Sequence, residues 1–486
     1  MPDPVRVRIA PSPTGNLHLG TARTALYNYL YARHHQGTFV FRLEDTDEER
    51  SNEAYTQDII QGLRWLGLTW DEGPDIGGPF APYRQTEKVD HYNNIANHLI
   101  AQGRAYHCYC TPAELDEMRE EQKAAGGLSR YDNRCRHIAP EKRHAFEAAG
   151  RIPSIRFRID EPRVISWHDA IKGEINIDSS DLGGDMVIVK SNGVAIYNFA
   201  VVIDDTDMKM THVIRGEDHI HNTAKQLLIY DALSQQPPFF AHAALIFDID
   251  RRKLSKRHHG EAVHVDRYRQ DGYMPEAMVN YLAQMSWTPS DGREIFTLEE
   301  GCKLFDLARV SKSPAVFDVQ RLLWFNGHYI RSLPLPLITD RAKPFLEAFD
   351  LSSYSRAELE SIVACVRDSL STLSEIAPAT KFFFDTAVDI PAELKETLIA
   401  KESSQKVLSV LHEKISQLPF GNSAGCKAVV DAIGKDLGVK GKELYWPVRA
   451  ALSGSTSGPD LGTILSILGA ARVKSRIEAT LICHTK

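Results

Sequence analysis

Two widely separated segments carry residue types suited to a nucleoside triphosphate. The first, Pro11-Ser12-Pro13-Thr14-Gly15-Asn16-Leu17-His18-Leu19-Gly20, lies between an alternating apolar–basic run and a helical apolar pattern. Free N–H groups at such a strand-to-helix turn, backed by the helix dipole, favour phosphate. Pro11, Thr14 and Gly15 would shape that loop, and Gly20 would let a base or ribose come close to the helix. His18 would set an imidazole beside the phosphates, where charge builds up as pyrophosphate departs. The second segment is Lys253-Leu254-Ser255-Lys256-Arg257, after the strand-like Ala244 to Ile249. Lys253 and Lys256 on a mobile loop would close over a triphosphate and neutralise it. Taken singly, each segment has a plain competing reading: a Pro/Gly turn with a surface histidine, and a solvated basic run.

A third group is Cys108-Tyr109-Cys110 followed by Cys135-Arg136-His137. Cys108, Cys110, Cys135 and His137 would complete a tetrahedral zinc shell, structural because four protein ligands leave no position for water. The competing reading is three half-buried cysteines and a surface histidine. Seven cysteines in all, an odd number, argue against a disulfide framework and for reduced thiols in the cytoplasm or an organelle interior.

The elements that must position these groups follow from periodicity. Val5 to Ile9 predicts a first strand, Leu17 to Arg33 a helix, Thr38 to Leu43 a second strand and about Asn52 to Leu66 a second helix. This order predicts a parallel, doubly wound sheet. From about Tyr83 the pattern changes to helices around the cysteines and short strands such as Ser154 to Ile159 and Asp185 to Val189, as in an inserted domain. The α/β pattern resumes near Ile196 to Ile203 and Thr211 to Arg215, with a helix from Asn222, and after about Pro314 the chain reads almost wholly helical.

At 486 residues the chain exceeds one hydrophobic core, so two to four domains are expected. A net charge of −7 announces no polyanionic partner, yet a local basic face can serve inside an acidic whole. No apolar run reaches the roughly 18 residues of a membrane span, and no secretory signal is visible, so no membrane association is expected.

Together the two phosphate segments resemble the HIGH and KMSKS signatures of class I aminoacyl-tRNA synthetases, as His18-Leu19-Gly20-Thr21 and Lys253-Leu254-Ser255-Lys256-Arg257. Within that class, Arg8 to Gly15, Arg42-Leu43-Glu44-Asp45-Thr46-Asp47 and Val213-Ile214-Arg215-Gly216-Glu217-Asp218 are similar to the glutamyl-tRNA synthetases. The short cysteine dyads resemble the zinc site of some members. The resemblance implies a Rossmann-type parallel-sheet catalytic domain over 1–83 and 196–250. It further implies an inserted α+β acceptor-binding domain over 84–195, a stem-contact region over 251–330 and an all-α anticodon-binding part over 331–486. It implies ATP with Mg²⁺, L-glutamate and tRNA(Glu) as partners, structural Zn²⁺, and a cytoplasmic monomer. A glutaminyl relative would carry β-barrels in place of the helical tail.

Glutamate offers two carboxylates and one ammonium, so cations must meet the former and an anion the latter. The resemblance carries amino-acid contacts onto Arg8, Ser12, Glu44, Tyr197 and Arg215. Guanidinium binds carboxylate through parallel hydrogen bonds that lysine does not reproduce. Selection of glutamate over glutamine is expected to rest on Arg8, with Arg215 the next candidate; which arginine takes which carboxylate stays open. The competing reading of each arginine is an ion pair at a strand end, with Asp45 or Asp218. Arg130, Arg134, Arg136, Lys312, Arg321 and Trp324 are candidates for tRNA contact.

Overall fold

The computed structural model describes residues 4–482 apart from 48, 127–129 and 161, and leaves out the side chains of Lys256 and Ile482. It divides into two compact units, residues up to 268 with 278–319, and 269–277 with 320 onward.

The first unit opens with β1 (Arg6–Ile9), which pairs in parallel with β2 (Thr38–Phe41), Arg8 opposite Val40. Helix α1 (Leu19–His34) makes the crossover. Leu19, Ala22, Ala25, Leu26 and Leu30 are buried, and so are Arg23, Tyr27, Asn28 and Ala32, so the helix is covered on more than the sheet side, as a helix inside a larger core is. His18 caps its N-terminus, the ring Nδ1 accepting from the Gly20 N–H at 3.0 Å, and Arg33 and His34 suit the negative end of its dipole. Helix α2 (Glu53–Trp65), capped by Asn52, follows as predicted.

Beyond helix α3 (Val89–Ala101) come β3 (Ala105–Cys108), β4 (Ser154–Phe157), β5 (Val164–Asp169), β6 (Gly173–Asp178) and β7 (Met186–Val189). These five strands do not form one sheet. An antiparallel set β3-β4-β7 stands apart, while the β5–β6 hairpin joins β8 (His212–Gly216) and β9 (Phe239–Ala243) in the order β6-β5-β9-β8. Helix α4 (Tyr197–Asp207) precedes β8, and α5 (Ile220–Ala232) links β8 to β9 in parallel. β8 lies beside β1, with the Thr211 N–H donating to the Arg6 carbonyl at 3.0 Å. The strands therefore follow the order β2, β1, β8, β9, with the hairpin from the middle of the chain at the far edge, in two hydrogen-bonded sets that adjoin at β1 and β8.

Ile196 to Ile203, where the α/β pattern resumes, forms the start of helix α4, with Ile196 at its cap. One expectation shifts in detail. The strand-like Ala244 to Ile249 contains only the two-residue β10 (Ile246–Phe247), paired with β11 (Ala315–Val316). The true strand is β9, just before it, where buried His242 breaks the apolar run that marks a strand in sequence.

The second unit is predominantly helical, including Glu402–Glu413, Ser423–Leu437, Lys442–Ser453 and Leu461–Ile482, the last interrupted at Gly469, φ +71°. Val407, Leu411, Val430, Ile433, Val448 and Ile464 fill its core. Among the described residues no helix is long and apolar enough to cross a membrane.

Candidate active site

A cleft of about 630 Å³ opens along the ends of β1, β2 and β8. Arg8, Pro11, Ser12, Thr14, His18, Gly20, Glu44, Tyr197, Arg215 and Lys253 all line it. Two segments remote in sequence thus meet at one N-terminal helix end. The intervening loop is pinned at both ends: Leu254 N–H donates to Ile246 O at 2.9 Å and Val265 N–H to Leu17 O at 2.9 Å. Lys253 Nζ stands 3.8 Å from Asp218 Oδ2, and a short helix starts at Lys256, whose side chain lies outside the description. Gly15 is not among the lining residues.

His18 is held neutral. Burial, then the neighbouring His264 and Lys253, lower its pKa to about 4. Because its Nδ1 accepts from Gly20, the ring proton belongs on Nε2, where it can be donated.

The two candidate arginines sit in unlike surroundings. Arg8, 4% exposed, grips Asp205 with Nε (3.1 Å) and Nη2 (3.3 Å). Fully buried Arg42 holds the same Asp205 Oδ1 at 2.7 Å and Glu44 Oε1 at 3.1 Å. Burial opposes the charge of Asp205, but Arg8 and Arg42 outweigh it and keep its pKa below the usual range. Neighbouring Asp204 accepts from Lys88 Nζ (2.6 Å), Gln85 Nε2 (2.9 Å) and the Tyr92 hydroxyl (2.9 Å). So the strand-end pair weighed for Arg8 exists, with Asp205 rather than Asp45 or Asp218 as partner. Only Nη1 of Arg8 is left without a protein acceptor among the described residues.

Arg215, 5% exposed, has no acidic partner among the described residues. Its four partners are neutral: Tyr197 Oη (3.2 Å), Thr223 Oγ1 (2.7 Å), Gln226 Oε1 (2.8 Å) and His242 Nε2 (3.3 Å). Burial lowers its pKa, so the cation is held at a desolvation cost that a ligand anion would offset. The Tyr197 hydroxyl also meets His219 Nδ1 at 3.1 Å, and burial followed by the charge of Arg215 brings the His219 pKa down to about 4. Burial raises the pKa of Glu44, the anion expected to meet the ammonium group.

Several lining residues escape sequence reasoning: Arg23, Lys190, His219 and Asn222. Asp205 had a readable signal, since Asp204-Asp205 are adjacent acids closing the apolar run Phe199 to Ile203. Buried adjacent acids require cations, and Arg8 and Arg42 were the arginines already in view.

At the cysteines, Cys108, Cys110 and Cys135 lie with their sulfurs within 4.8 Å of one another. His137 does not join them; it is exposed. The fourth group present is the Tyr131 hydroxyl, 3.3 Å from Cys108 Sγ and 3.7 Å from Cys110 Sγ. Hydrogen bonds from Cys110 and then Cys135 lower the pKa of Cys108. Tyr131 approaches because Gly184, φ +81°, has no Cβ; one there would lie 2.4 Å from the Tyr131 carbonyl oxygen. The three thiols are donors of the kind that suits zinc, and the phenol lies beside them. Of the candidate RNA contacts, Arg136 is bound to Asp185 through Nε at 2.8 Å and Arg134 to Asp132 through Nη2 at 2.7 Å.

A cleft with a helix-capping histidine, a lysine loop and buried arginines on a parallel sheet matches a known family. Residues 4–324 match the catalytic domain of the class I tRNA synthetases (E and Q), and residues 337–481 match an anticodon binding domain. The chain is 45% identical to the glutamate–tRNA ligase of Desulforamulus reducens over 98% of this chain and 99% of the relative. It is also 45% identical to that of Natranaerobius thermophilus over 99% of each. It is similar, with a TM-score of 0.89 and 32% identity over 99% of both chains, to the crystal structure of a glutamate tRNA ligase from Elizabethkingia meningosepticum in complex with its amino acid. The chain belongs to the class I tRNA synthetases, and within them to the glutamate–tRNA ligase family.

Proposed function

We infer that this chain joins L-glutamate to the 3′ end of tRNA(Glu) through a glutamyl-adenylate, with release of pyrophosphate and then AMP. The observation that carries this reading is Arg215, a buried cation without an acidic partner among the described residues, in one cleft with a phosphate-type helix terminus.

ATP would lie along Pro11 to Gly20, its phosphates on the N-terminus of α1 and the Nε2–H of neutral His18. Mg²⁺ would enter with the triphosphate and share its charge. Arg215 and Tyr197 would take one carboxylate of glutamate, Arg8 Nη1 would face the second, and Glu44 would accept from the ammonium, with Ser12 at the same end. The α-carboxylate then attacks the α-phosphorus as the bond to pyrophosphate breaks. Lys253 and Lys256 neutralise the departing group. A terminal ribose hydroxyl of tRNA next attacks the activated carbonyl, and AMP leaves. Positioning and fixed charge carry the rate, since no protein atom becomes covalently bonded. The helical second unit supports the glutamate branch of the family over one with β-barrels, and the enzyme would act as a cytoplasmic monomer.

At the cysteines, Cys108, Cys110 and Cys135 would hold Zn²⁺ with Tyr131 as fourth donor, or His137 if its side chain swings in. When bound, the ion would tie the loop at Tyr131 to the end of β3. Purified untagged protein should contain about one zinc per chain, and Cys110→Ser should lose it. Retention of the metal by Tyr131→Phe and its loss from His137→Ala would restore the histidine to the shell. The function itself is tested by charging purified tRNA(Glu) and tRNA(Gln) with glutamate and ATP. Failure to charge either RNA would overturn it.

A further inference from the structure

Behind Arg215 sit two groups that this mechanism leaves unused. His242 on β9 and Asp169 at the end of β5 are both 0% exposed, with Nδ1 and Oδ2 2.5 Å apart. The other Asp169 oxygen accepts backbone N–H groups from Ile171 (3.0 Å), Lys172 (2.8 Å) and His242 (3.2 Å). A carboxylate among so many donors stays ionised, although burial alone would oppose it, and its pKa lies below the ordinary value. An ionised carboxylate only accepts, so the imidazole proton must be on Nδ1 and the lone pair on Nε2. That lone pair lies 3.3 Å from Arg215 Nε and 3.0 Å from Thr223 Oγ1. Thr223 Oγ1 in turn accepts from Arg215 Nη2 at 2.7 Å.

We propose that His242, its tautomer fixed by Asp169, is a positioning residue for glutamate: it accepts from Arg215 Nε and turns the guanidinium toward the cleft. The inference rests on Arg215 being the carboxylate-binding cation. Asp169 balances that cation through one neutral ring, so no acid occupies the arginine itself. Arg8 shows the alternative, for its Nε and Nη2 are both taken by Asp205. A carboxylate placed that way on Arg215 would use up the edge that a substrate needs. Arg215 Nη1, bonded among the described residues only to the Tyr197 hydroxyl, keeps a second hydrogen for a ligand.

A purely structural role, tying β5 to β9, predicts a different outcome, so the test reads two Michaelis constants. His242→Phe keeps the ring volume and removes the acceptor. His242→Gln places an amide oxygen near the Nε2 position. Asp169→Asn can donate to Nδ1, which would move the proton to Nε2 and set donor against donor at Arg215. With the full-length enzyme and tRNA present, His242→Phe and Asp169→Asn should each raise the KM for glutamate about tenfold or more and leave that for ATP within about twofold. His242→Gln should recover most of the loss.

Arg215→Lys runs in parallel. If it raises the glutamate KM while His242→Phe and Asp169→Asn do not, the positioning role is overturned and the reading of Arg215 stands. If Arg215→Lys leaves the glutamate KM unchanged, both fall together. Equal rises for ATP and glutamate, without rescue by His242→Gln, would assign the dyad to the scaffold alone and overturn the proposal. Should His242→Phe fail to fold, Asp169→Asn against His242→Gln decides by the same two constants.

Discussion

Arg8 and Arg215 reach one cleft from neighbouring strands, yet their charges are balanced in opposite ways. Around Arg8 the charges are closed: Asp205 is shared by Arg8 and Arg42, and Arg42 also holds Glu44. Around Arg215 all four partners are neutral, and the nearest hydrogen-bonded acid stands one imidazole away. A buried cation with its own anion has most of its hydrogen bonds spent inside the fold. One surrounded by dipoles is oriented but not neutralised. The same side chain is therefore tied to an acid of the fold at one position and, among the described residues, held by neutral groups alone at the other.

The largest effect should follow from breaking the closed region. Asp205→Asn leaves buried Arg8 without its acid, while Arg42 keeps Glu44 and Asp204, and should destabilise the fold by about 3–5 kcal/mol in denaturant unfolding. A loss below about 1 kcal/mol would mean that Arg8 is not held by this carboxylate and that the contrast is illusory.

Arg215→Lys should show the reverse pattern. Lysine reproduces neither the planar fork nor its four contacts, so kcat/KM for glutamate should fall about 10²-fold or more. Its effect on unfolding should be smaller than that of Asp205→Asn. Equal destabilisation by both variants would make Arg215 another scaffold residue.

Arg8→Gln should have a smaller kinetic effect, about tenfold on kcat/KM for glutamate, since Asp205 keeps Arg42 and only the Nη1 side faces a ligand. The ratio of glutamate to glutamine charging decides between the arginines. If Arg8→Gln erodes that ratio more than Arg215→Lys, selection rests on Arg8 as the sequence alone suggested.

Acid should separate the regions most gently. His219, beside Tyr197 and Arg215, has a pKa brought from 6.5 to about 4, first by burial and then by Arg215. The unfolded chain takes up this proton near pH 6.5 and the native chain only near 4. Stability is therefore lost as the pH falls through that window, by at most about 1.4 kcal/mol per pH unit for this group. The pKa of Asp205 is lowered too, but for a carboxylate this favours the charged form. Its stabilisation is lost only as the pH falls below the ordinary carboxylate range, so the closed region persists to more acidic solution. Unfolding measured from pH 7 to 4.5 should have a shallower slope in His219→Gln, and an unchanged slope would remove His219 from the titration.

Much of this was legible in the residues alone. The strand-to-helix loop and the β1–α1–β2 crossover follow from short-range periodicity and turn chemistry, which local sequence encodes directly, whereas the capping of α1 by His18 came from the structure. Strand β9 was missed because His242, a buried polar residue, interrupts its apolar pattern. The histidine expected beside the three cysteines is instead exposed, and Tyr131 is there, because a C-x-H spacing says nothing about which way a turn faces.

By itself the sequence determined the chemistry on offer: a phosphate loop, a lysine loop, two strand-borne arginines, an acid at the end of β2 and a thiol cluster. Only the tertiary structure decided how those charges are spent. Asp205 reaches Arg8 across 197 residues because α4 packs where β1 emerges, and Asp169 comes within hydrogen-bonding reach of His242 because the β5–β6 hairpin leaves its sequence neighbours to join β9. Hydrogen bonding and charge act over a few ångströms in space, whereas sequence patterns report neighbours along the chain. Which arginine meets an acid of the fold and which meets neutral groups depends on strand order, a property that local periodicity does not contain.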